Sequence, residues 1–281
     1  MLSYRHAFHA GNFADVFKHV LLMQLIEALC RKDKPFFLFD THAGAGRYDL
    51  LATPARQNEE FRDGVGRLWH ESGLGAELSA YREQVRALNP DGELRFYPGS
   101  PRIARAGLRP GDRLVLTELH PSDHPLLKAE FAGDRQTAVH AADGYAALKA
   151  FLPPPERRGL VFIDPPYERK DEFDRLVEAV RLIHRRWAGG MIAIWYPILD
   201  RAPSARWQRA LQALQIPAIL CAELGLYPYD GPLGLHGCGM IVINPPWRLD
   251  ETLARLLPEL LQRLRTGAQG QTRLEWLTLA P

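Results

Sequence analysis

The sequence predicts an α/β fold built on a doubly wound, mostly parallel sheet of seven strands. Short apolar runs recur along the chain and are separated by stretches with helical character, as in proteins that alternate strands and helices. In addition, 46% of the 281 residues are hydrophobic, which is enough to bury a large core. We therefore expect one domain over residues 1–281.

The first elements are a helix and a strand near the N-terminus. Asn12 is typical of a helix start, and apolar residues then recur at helical spacing until Lys34-Pro35, which predicts a helix over about residues 13–31. Residues 36–39 form an apolar run that ends in Asp40. A short segment with two glycines follows, Thr41-His42-Ala43-Gly44-Ala45-Gly46. This pattern predicts a buried strand that leads into a glycine loop.

Six further apolar runs predict the other strands, at residues 114–117, 137–140, 160–163, 191–195, 218–222 and 240–243. Residues 51–98 interrupt the alternation, because they are polar, have helical stretches such as 77–88, and offer no convincing strand. We expect a helical insertion there. Ser100 before Pro101 has the pattern of a helix N-cap and predicts that the main domain resumes at this point.

Composition narrows the function classes. The 35 Lys and Arg against 33 Asp and Glu give a net charge of +2, so a nucleic-acid partner would have to bind a local basic surface. The chain has no 18-residue apolar run and no apolar leader, so we expect no membrane segment. Three scattered cysteines do not form a disulfide framework. These observations predict a cytoplasmic protein.

The most informative motif is Asp164-Pro165-Pro166-Tyr167, directly after the apolar run 160–163. The amino nitrogen of adenine is a poor nucleophile because its lone pair is delocalised into the ring. Asp164 can accept one amino hydrogen and the Pro165 carbonyl the other, and the carboxylate can then take the proton. Tyr167 offers a flat face for a flipped-out base. We expect Asp164, Pro165 and Tyr167 to be catalytic, although Asp-Pro alone is common in turns.

A second loop, Asn244-Pro245-Pro246-Trp247, competes for this role. In a doubly wound sheet the ligand crevice lies at the carboxyl ends of central strands, near the reversal of strand order. Asp164 ends the fourth strand counted from the glycine loop, whereas Asn244 ends the last predicted strand, which is usually antiparallel in this type of sheet. We therefore predict that Asn244 belongs to a structural turn.

Polar residues also follow the other predicted strands. The two glycines Gly44 and Gly46 allow close approach of a ligand but do not form the dinucleotide fingerprint, because Asp49 stands at the third glycine position. Glu118 stands where a carboxylate can hold both ribose hydroxyls of a nucleoside. Asp143-Gly144 stands where a carboxylate can accept the amino group of a cofactor adenine. Together these loops predict one nucleoside-binding site.

The N-terminus combines aromatic and cationic residues. Tyr4, Arg5, His6 and Lys18 are of the kind that stack on and steer nucleic acid, so we expect substrate contacts there. The histidines near this end have no accompanying ligands at the spacing of a known metal site, so we expect no metal. His19 is expected to pair with Asp15 one helical turn earlier.

Taken together, these segments resemble the RlmJ family, the adenine-N6 methyltransferases of 23S ribosomal RNA. The resemblance rests on the Tyr4 to Asn12 segment, Asp40 to Gly46, the helical insertion and the Asp164 loop, and it covers nearly the whole chain. It implies a Rossmann-like class I methyltransferase fold, S-adenosylmethionine as cofactor, and a monomer that acts on protein-free ribosomal RNA. It further implies that Asp164 is catalytic, that Tyr4 lies near the RNA, and that the cofactor contacts His19, His42, Ser100, Glu118, Asp143, Gly144 and Asp164.

Three alternatives stay open. A DNA adenine methyltransferase shares the Asp164 motif, but the insertion is short for a region that reads a DNA target. A glutamine methyltransferase usually has Asn in this loop. A catalytically silent RNA-binding module on the same scaffold would not need to keep both the acid and the aromatic residue.

Overall fold

The computed structural model describes residues 4–227 and 234–279. Within them the strands are β1 (Phe37–Asp40), β2 (Arg47–Asp49), β3 (Phe96–Pro98), β4 (Arg113–Thr117), β5 (Thr137–His140), β6 (Gly159–Ile163), β7 (Met191–Ile198), β8 (Ile219–Gly225), β9 (Gly237–Ile243) and β10 (Gln271–Thr278). The α-helices are α1 (Phe13–Cys30), α2 (Thr53–Asn58), α3 (Val65–Trp69), α4 (Ala76–Arg86), α5 (Ser100–Ala106), α6 (Asp123–Glu130), α7 (Gly144–Phe151), α8 (Glu172–Arg186), α9 (Arg201–Gln212) and α10 (Leu249–Leu264). Short 3₁₀ helices cover His6–Phe8 and Glu60–Asp63.

The central sheet has eight strands in the order β10-β8-β9-β7-β6-β1-β4-β5. Strands β5, β4, β1, β6 and β7 are parallel neighbours, whereas β9 is antiparallel to both β7 and β8, and β10 is antiparallel to β8. This mixed sheet confirms the predicted α/β class. The strand order reverses at β1, with β4 on one side and β6 on the other. Ligand crevices form at such a reversal.

Two details of the strand prediction were wrong. The main sheet has eight strands and not seven, because β10 forms its outer edge. This strand alternates polar and apolar residues, as an edge strand with one solvated face does, so it lacks a continuous apolar run. In addition, the expected insertion does contain a strand, because β3 pairs with β2 in a separate two-stranded sheet.

The core lies on both faces of the sheet. Successive residues of a strand point to opposite faces, so Phe36 and Leu38 enter one apolar cluster while Phe37 and Phe39 enter the other. Helix α1 lies on the first face and is buried on nearly all sides. Helices α8 and α9 contribute to the second cluster. Of the three unpaired cysteines, Cys221 and Cys238 are buried and Cys30 is partly buried.

The insertion packs tightly against the main domain. The amide of Val65 donates to the carbonyl of Gly11 at 2.8 Å, and Arg263 of α10 pairs with Glu71 at 2.8 Å. The hydroxyl of Tyr97 in β3 lies 2.8 Å from Nδ1 of His19 in α1. The insertion therefore forms part of the wall beside the first helix. In the described ranges, no helix has both the length and the apolar character needed to cross a membrane.

Candidate active site

A cavity of about 150 Å³ lies at the carboxyl ends of the central strands. Its walls come from the segments that follow β1, β4, β5 and β6, together with α1 and the N-terminal segment. The predicted site residues that line it are Tyr4, His6, Lys18, His19, His42, Ser100, Glu118, Asp143, Gly144, Asp164 and Pro165. These residues lie between Tyr4 and Pro165 in the sequence, and the topology of the sheet brings them together at one edge.

Asp164 directly follows the buried strand β6, and Lys18 of α1 contacts it. Lys18 Nζ lies 2.6 Å from Asp164 Oδ2 and 2.8 Å from Asp15 Oδ1. Burial alone would lower the pKa of Lys18, but the two carboxylates outweigh that penalty and hold it well above its usual value. The lysine is therefore a fixed cation that links Asp15 in the α1 helix to Asp164 in the loop after β6.

The buried position of Lys18 differs from its predicted role as an RNA contact. Its side chain is only 5% exposed, so it does not present its charge to solvent. Asp15, which was not predicted as a site residue, is fully enclosed and also accepts from His6 at 2.8 Å and from the amide of Gly11 at 2.8 Å. The spacing of three residues between Asp15 and Lys18 is the one signal in the sequence that points to this pair.

Tyr167 takes a position different from that of the other predicted residues, because it does not line the cavity. Its hydroxyl donates to the carbonyl of Trp195 at 2.7 Å, and its ring packs edge-on against Trp195 and tilted against Phe173. These contacts fix the loop to β7. The backbone of Tyr167 has a φ of 53°, which turns the chain sharply after the two prolines.

The glycine loop carries a buried acid at the end of β1. Asp40 accepts from the Ser100 hydroxyl at 2.6 Å and from the amide of His42 at 3.2 Å, and burial raises the pKa of Asp40 to about 7. Ser100 is the first residue of α5 and makes no capping bond, so the predicted N-cap role was wrong. The sequence had not singled out Asp40 as a site residue, although an acid after a buried strand is a recognisable signal.

Glu118, after β4, is fixed by backbone amides. Gly44 donates to Oε2 and His120 to Oε1, each at 2.7 Å. Burial raises the pKa of Glu118, although these amides favour its charged form. Gly44 has a φ of 61°, a conformation in which a residue with a Cβ is strained. The glycine loop and this carboxylate therefore position each other.

Asp143 caps helix α7 and also contacts an arginine. Its Oδ1 accepts from the amides of Tyr145 and Ala146, and its Oδ2 accepts from Arg175 at 3.1 Å. The Arg175 guanidinium lies 4.3 Å from the centre of the Tyr145 ring. A Cβ on Gly144 would lie 2.1 Å from the Thr41 carbonyl, so only glycine fits at this close approach. Arg175, in the helix that follows the Asp164–Tyr167 motif, belongs to no motif itself and gave no signal in the sequence.

His19 and His42 are both enclosed. His19 lies 2.8 Å from the Tyr97 hydroxyl and does not hydrogen-bond Asp15 as predicted. Burial lowers the pKa of His19 to about 3 and that of His42 to about 4, so both are neutral near pH 7. A hydrogen bond of 2.8 Å joins Nδ1 of His42 to the Thr41 hydroxyl.

The N-terminal segment lies across the mouth of the cavity. The amide of Tyr4 donates to Glu168 at 2.7 Å, Arg5 pairs with Asp123 at 3.2 Å, and His6 contacts Asp15. Residues 1–3 lie outside the described ranges. Tyr4 is 37% exposed and its ring stacks on His9 with 5.6 Å between the ring centres. The segment therefore bridges the loop after β6 and the helix after β4.

The competing loop lies at the opposite edge of the sheet. Because β9 runs antiparallel to β7, Asn244 comes next to the start of β7, where its side-chain amide donates to the carbonyls of Ala188 and Gly190 at 2.8 Å each. Asn244 has a φ of 53°, which asparagine tolerates better than most residues. Its geometry is that of a structural turn.

The cavity fits a nucleoside that carries a positively charged group. Glu118 offers carboxylate oxygens where a sugar diol can donate, and Gly44 leaves room for close approach. Asp40 does not itself line the cavity, but Ser100 does, and its hydroxyl donates to this buried carboxylate, which favours a cationic group on a ligand at that wall. Among the described residues, no group of three or more His, Cys, Asp or Glu side chains is arranged to hold a metal ion.

A family model and two curated relatives agree on one family. Residues 33–278 match the family model described as ribosomal RNA large subunit methyltransferase D, RlmJ. Proteins named ribosomal RNA large subunit methyltransferase J are similar to this chain, at 48% identity over 277 residues in Escherichia coli and 46% over 279 residues in Haemophilus influenzae, covering 99% of each chain. A crystal structure of a Legionella pneumophila protein covers 95% of this chain and 98% of its own, with 36% identity and a TM-score of 0.89.

Proposed function

The chain belongs to the RlmJ family of ribosomal RNA large subunit methyltransferases, and we propose that it transfers a methyl group from S-adenosylmethionine to the N6 amino group of an adenine in 23S ribosomal RNA. The observation that carries this proposal is the position of Asp164. Its carboxylate follows a central strand, lines the same cavity as the nucleoside-binding residues, and is held by a buried lysine.

Asp164 and Pro165 act on the substrate amino group in this proposal. The carboxylate of Asp164 and the carbonyl of Pro165 accept the two amino hydrogens, which localises the lone pair on nitrogen for attack on the methyl carbon. The new N–C bond would form as the methyl–sulfur bond of the bound cofactor breaks and its electron pair goes to sulfur, and Asp164 takes one of the two hydrogens as a proton. Lys18, through its 2.6 Å contact, keeps Asp164 oriented for both steps.

The remaining residues hold the cofactor, which when bound supplies an electrophilic methyl group on sulfur. Glu118 accepts the ribose hydroxyls, Ser100, bonded to the buried Asp40, faces the ammonium end, and Asp143 with Gly144 and His42 surround the adenine end. His19, neutral and bonded to the Tyr97 hydroxyl, lines the cavity and offers a fixed imidazole for a contact with the cofactor. Each role follows from the donor or acceptor that the side chain presents.

We further propose that the RNA enters past the N-terminal segment. Tyr4, Arg5 and His6 place an aromatic ring and basic groups at the mouth of the cavity, as expected for contacts with an extruded nucleotide. By family resemblance the substrate is protein-free ribosomal RNA and the enzyme acts as a monomer in the cytoplasm.

One assay tests this function. Purified protein is incubated with tritium-labelled S-adenosylmethionine and, separately, with RNA, DNA and protein extracted from a strain that lacks the gene. We expect label only in 23S ribosomal RNA, and mass spectrometry of nucleosides should give N6-methyladenosine. The matched control is Asp164→Asn, which keeps the size of the side chain but replaces one acceptor oxygen with a donating NH2 group and removes the proton acceptor. Label in DNA or protein would contradict the proposal, and so would equal labelling by the control.

A further inference from the structure

A second cavity of about 400 Å³ lies between α9 and the outer strands β8 and β10. Its lining is mainly polar and includes Gln208 and Arg209 of α9, Glu223 of β8, and Arg273 of β10. None of these residues belongs to the site described above. The cavity has both acidic and basic groups, so it is unlike a simple cationic surface for phosphates.

The carboxylate of Glu223 is held through one of its two oxygens. Oε1 accepts from the hydroxyl of Tyr196 at 2.7 Å, from Nε2 of Gln208 at 2.9 Å and from Nη1 of Arg273 at 3.2 Å. In the part of the chain that the structure describes, Oε2 has no such partner. Glu223 is 16% exposed and lines the cavity, so Oε2 is a fixed acceptor available to a ligand.

The groups around Glu223 are also fixed. Arg273 Nη1 donates to Oε1 of Gln208 at 2.9 Å, and its other nitrogens bind Glu275. Tyr196 is fully buried and Gln208 is only 4% exposed. Desolvating this many polar groups opposes folding. If these residues only filled space between α9 and the sheet, well-packed apolar residues would stabilise the protein at least as well. An orientation this rigid is what selective recognition of a ligand requires.

The cavity extends to the same edge of the sheet as the Asp164 site. Its lining includes Ile198 at the end of β7, Gly225 at the end of β8 and Gln271 at the start of β10, and all three lie at the edge where β6 leads into Asp164. Three strand spacings separate β6 from β8, which is about 14 Å at about 4.8 Å each. A single RNA strand of a few nucleotides covers such a distance.

We propose that this cavity binds an unpaired guanine of the substrate RNA while the target adenine is at Asp164. The Watson–Crick edge of guanine carries two adjacent donors, N1–H and the 2-amino group, which Glu223 Oε2 can accept together. Arg209, exposed on α9 beside the cavity, can donate to guanine O6. Adenine and cytosine carry one amino group on that edge, and uracil has one imino donor between two carbonyl groups that the carboxylate repels. The inference rests on the proposed function, because it takes the ligand from the RNA substrate.

Binding is tested first with mononucleotides and without methylation. The full-length protein is saturated with S-adenosylhomocysteine, so that the main cavity is filled, and titrated by NMR with GMP, IMP and UMP. We expect GMP to bind about tenfold more tightly than IMP or UMP, since a good two-donor contact discriminates by about 1–3 kcal/mol. Equal binding of the three nucleotides would overturn the inference.

Two variants separate recognition from structure. Glu223→Gln retains a carbonyl oxygen for the three donors but replaces Oε2 with an NH2 group that donates. GMP should therefore bind about tenfold more weakly to this variant than to wild type, whereas the affinity for UMP should not change. Tyr196→Phe removes one donor from Oε1 and leaves Oε2 unchanged, so it should keep the preference for GMP. A parallel loss of that preference in both variants would show a structural role and overturn the inference.

Methylation of protein-free 23S ribosomal RNA then tests the source of the guanine. In Glu223→Gln we expect a KM for RNA that is about tenfold higher, with kcat and the affinity for S-adenosylhomocysteine unchanged. If Glu223→Gln abolishes the binding of GMP but leaves the KM for RNA unchanged, the bound guanine does not belong to the RNA substrate and the inference is overturned. If the wild-type protein binds GMP but methylates no RNA, the proposed function is wrong. The nucleotide titrations distinguish this result from a failure of the guanine site, because they do not depend on methylation.

Discussion

Lys18→Met is the substitution that best separates two roles for the buried lysine. If Lys18 orients Asp164, removing the charge should lower kcat and leave the KM for RNA nearly unchanged. If Lys18 instead contacts the RNA, the KM should rise. The structure favours the first role, because Lys18 Nζ lies 2.6 Å from Asp164 and 2.8 Å from Asp15 and the side chain is 5% exposed.

The expected magnitude follows from this geometry. At 2.6 Å and an effective dielectric constant of about 20, the attraction between the charges of Lys18 and Asp164 is about 6 kcal/mol before desolvation is subtracted. Removing one partner of a buried pair typically costs about 3–5 kcal/mol of stability, because the remaining charge is left uncompensated. Since misorientation of a catalytic group is also costly, we expect kcat to fall about a hundredfold.

The assay measures initial rates on protein-free ribosomal RNA at saturating cofactor, with the folded fraction determined by circular dichroism in the same buffer. Asp15→Asn is the matched control. It disturbs the same buried cluster and the contact with His6, yet retains the pair of Lys18 with Asp164, so it should destabilise the protein while keeping kcat within about tenfold. A normal kcat with a raised KM for RNA in Lys18→Met would refute the orienting role.

Three other predictions concern the catalytic loop, the cofactor site and pH. Asp164→Asn should lower kcat by more than about a hundredfold at unchanged cofactor affinity. Asn244→Ala, which loses two 2.8 Å hydrogen bonds, should instead lower the free energy of unfolding by about 1–3 kcal/mol at normal kcat. The reverse pattern would place catalysis in the Asn244 loop. Glu118→Ala should weaken S-adenosylmethionine by about 2–3 kcal/mol in calorimetry, and unchanged affinity would remove Glu118 from the site. In the cofactor-free protein the raised pKa of Asp40, about 7, means that its contribution to the free energy of unfolding declines from pH 3.8 to about 7 and is then level. In urea titrations, the free energy of unfolding of wild type minus that of Asp40→Asn should show this decline, because the other titrating groups are common to both proteins, and a difference that does not change with pH would contradict it.

The sequence predicted the cavity well because its residues follow strands. A buried apolar run that ends in an acid or glycine marks the carboxyl end of a strand, and parallel strands bring those ends to one edge. The residues after β1, β4, β5 and β6, among them His42, Glu118, Gly144 and Asp164, therefore meet as expected. The choice between the two Pro-Pro loops also followed from strand direction, and the antiparallel β9 places Asn244 at the far edge.

What the sequence did not reveal depends on packing between distant elements. Arg175 was not predicted, because it acts through a side-chain contact with Asp143, 32 positions away, and Ser100 was predicted as a site residue but its bond to Asp40, 60 positions away, was not; such contacts leave no local pattern. The motif predicts that the Tyr167 ring faces the flipped-out base. In the structure its hydroxyl instead donates to the carbonyl of Trp195, a contact that depends on how β7 pairs beside β6. Periodicity reports which face of an element is buried, and it does not report the partner.

Lys18 shows how this limit affects a functional interpretation. A lysine near the N-terminus, close to aromatic residues and histidines, suggests a contact with RNA, and its partner Asp164 lies 146 positions away. Helix α1 is buried on nearly all sides, so a charged residue in it must be paired inside the protein. The only acids within contact of Lys18 Nζ in the described ranges are Asp15 and Asp164. We therefore propose that the helix before the first strand carries part of the catalytic machinery and that the segment preceding it contacts the RNA.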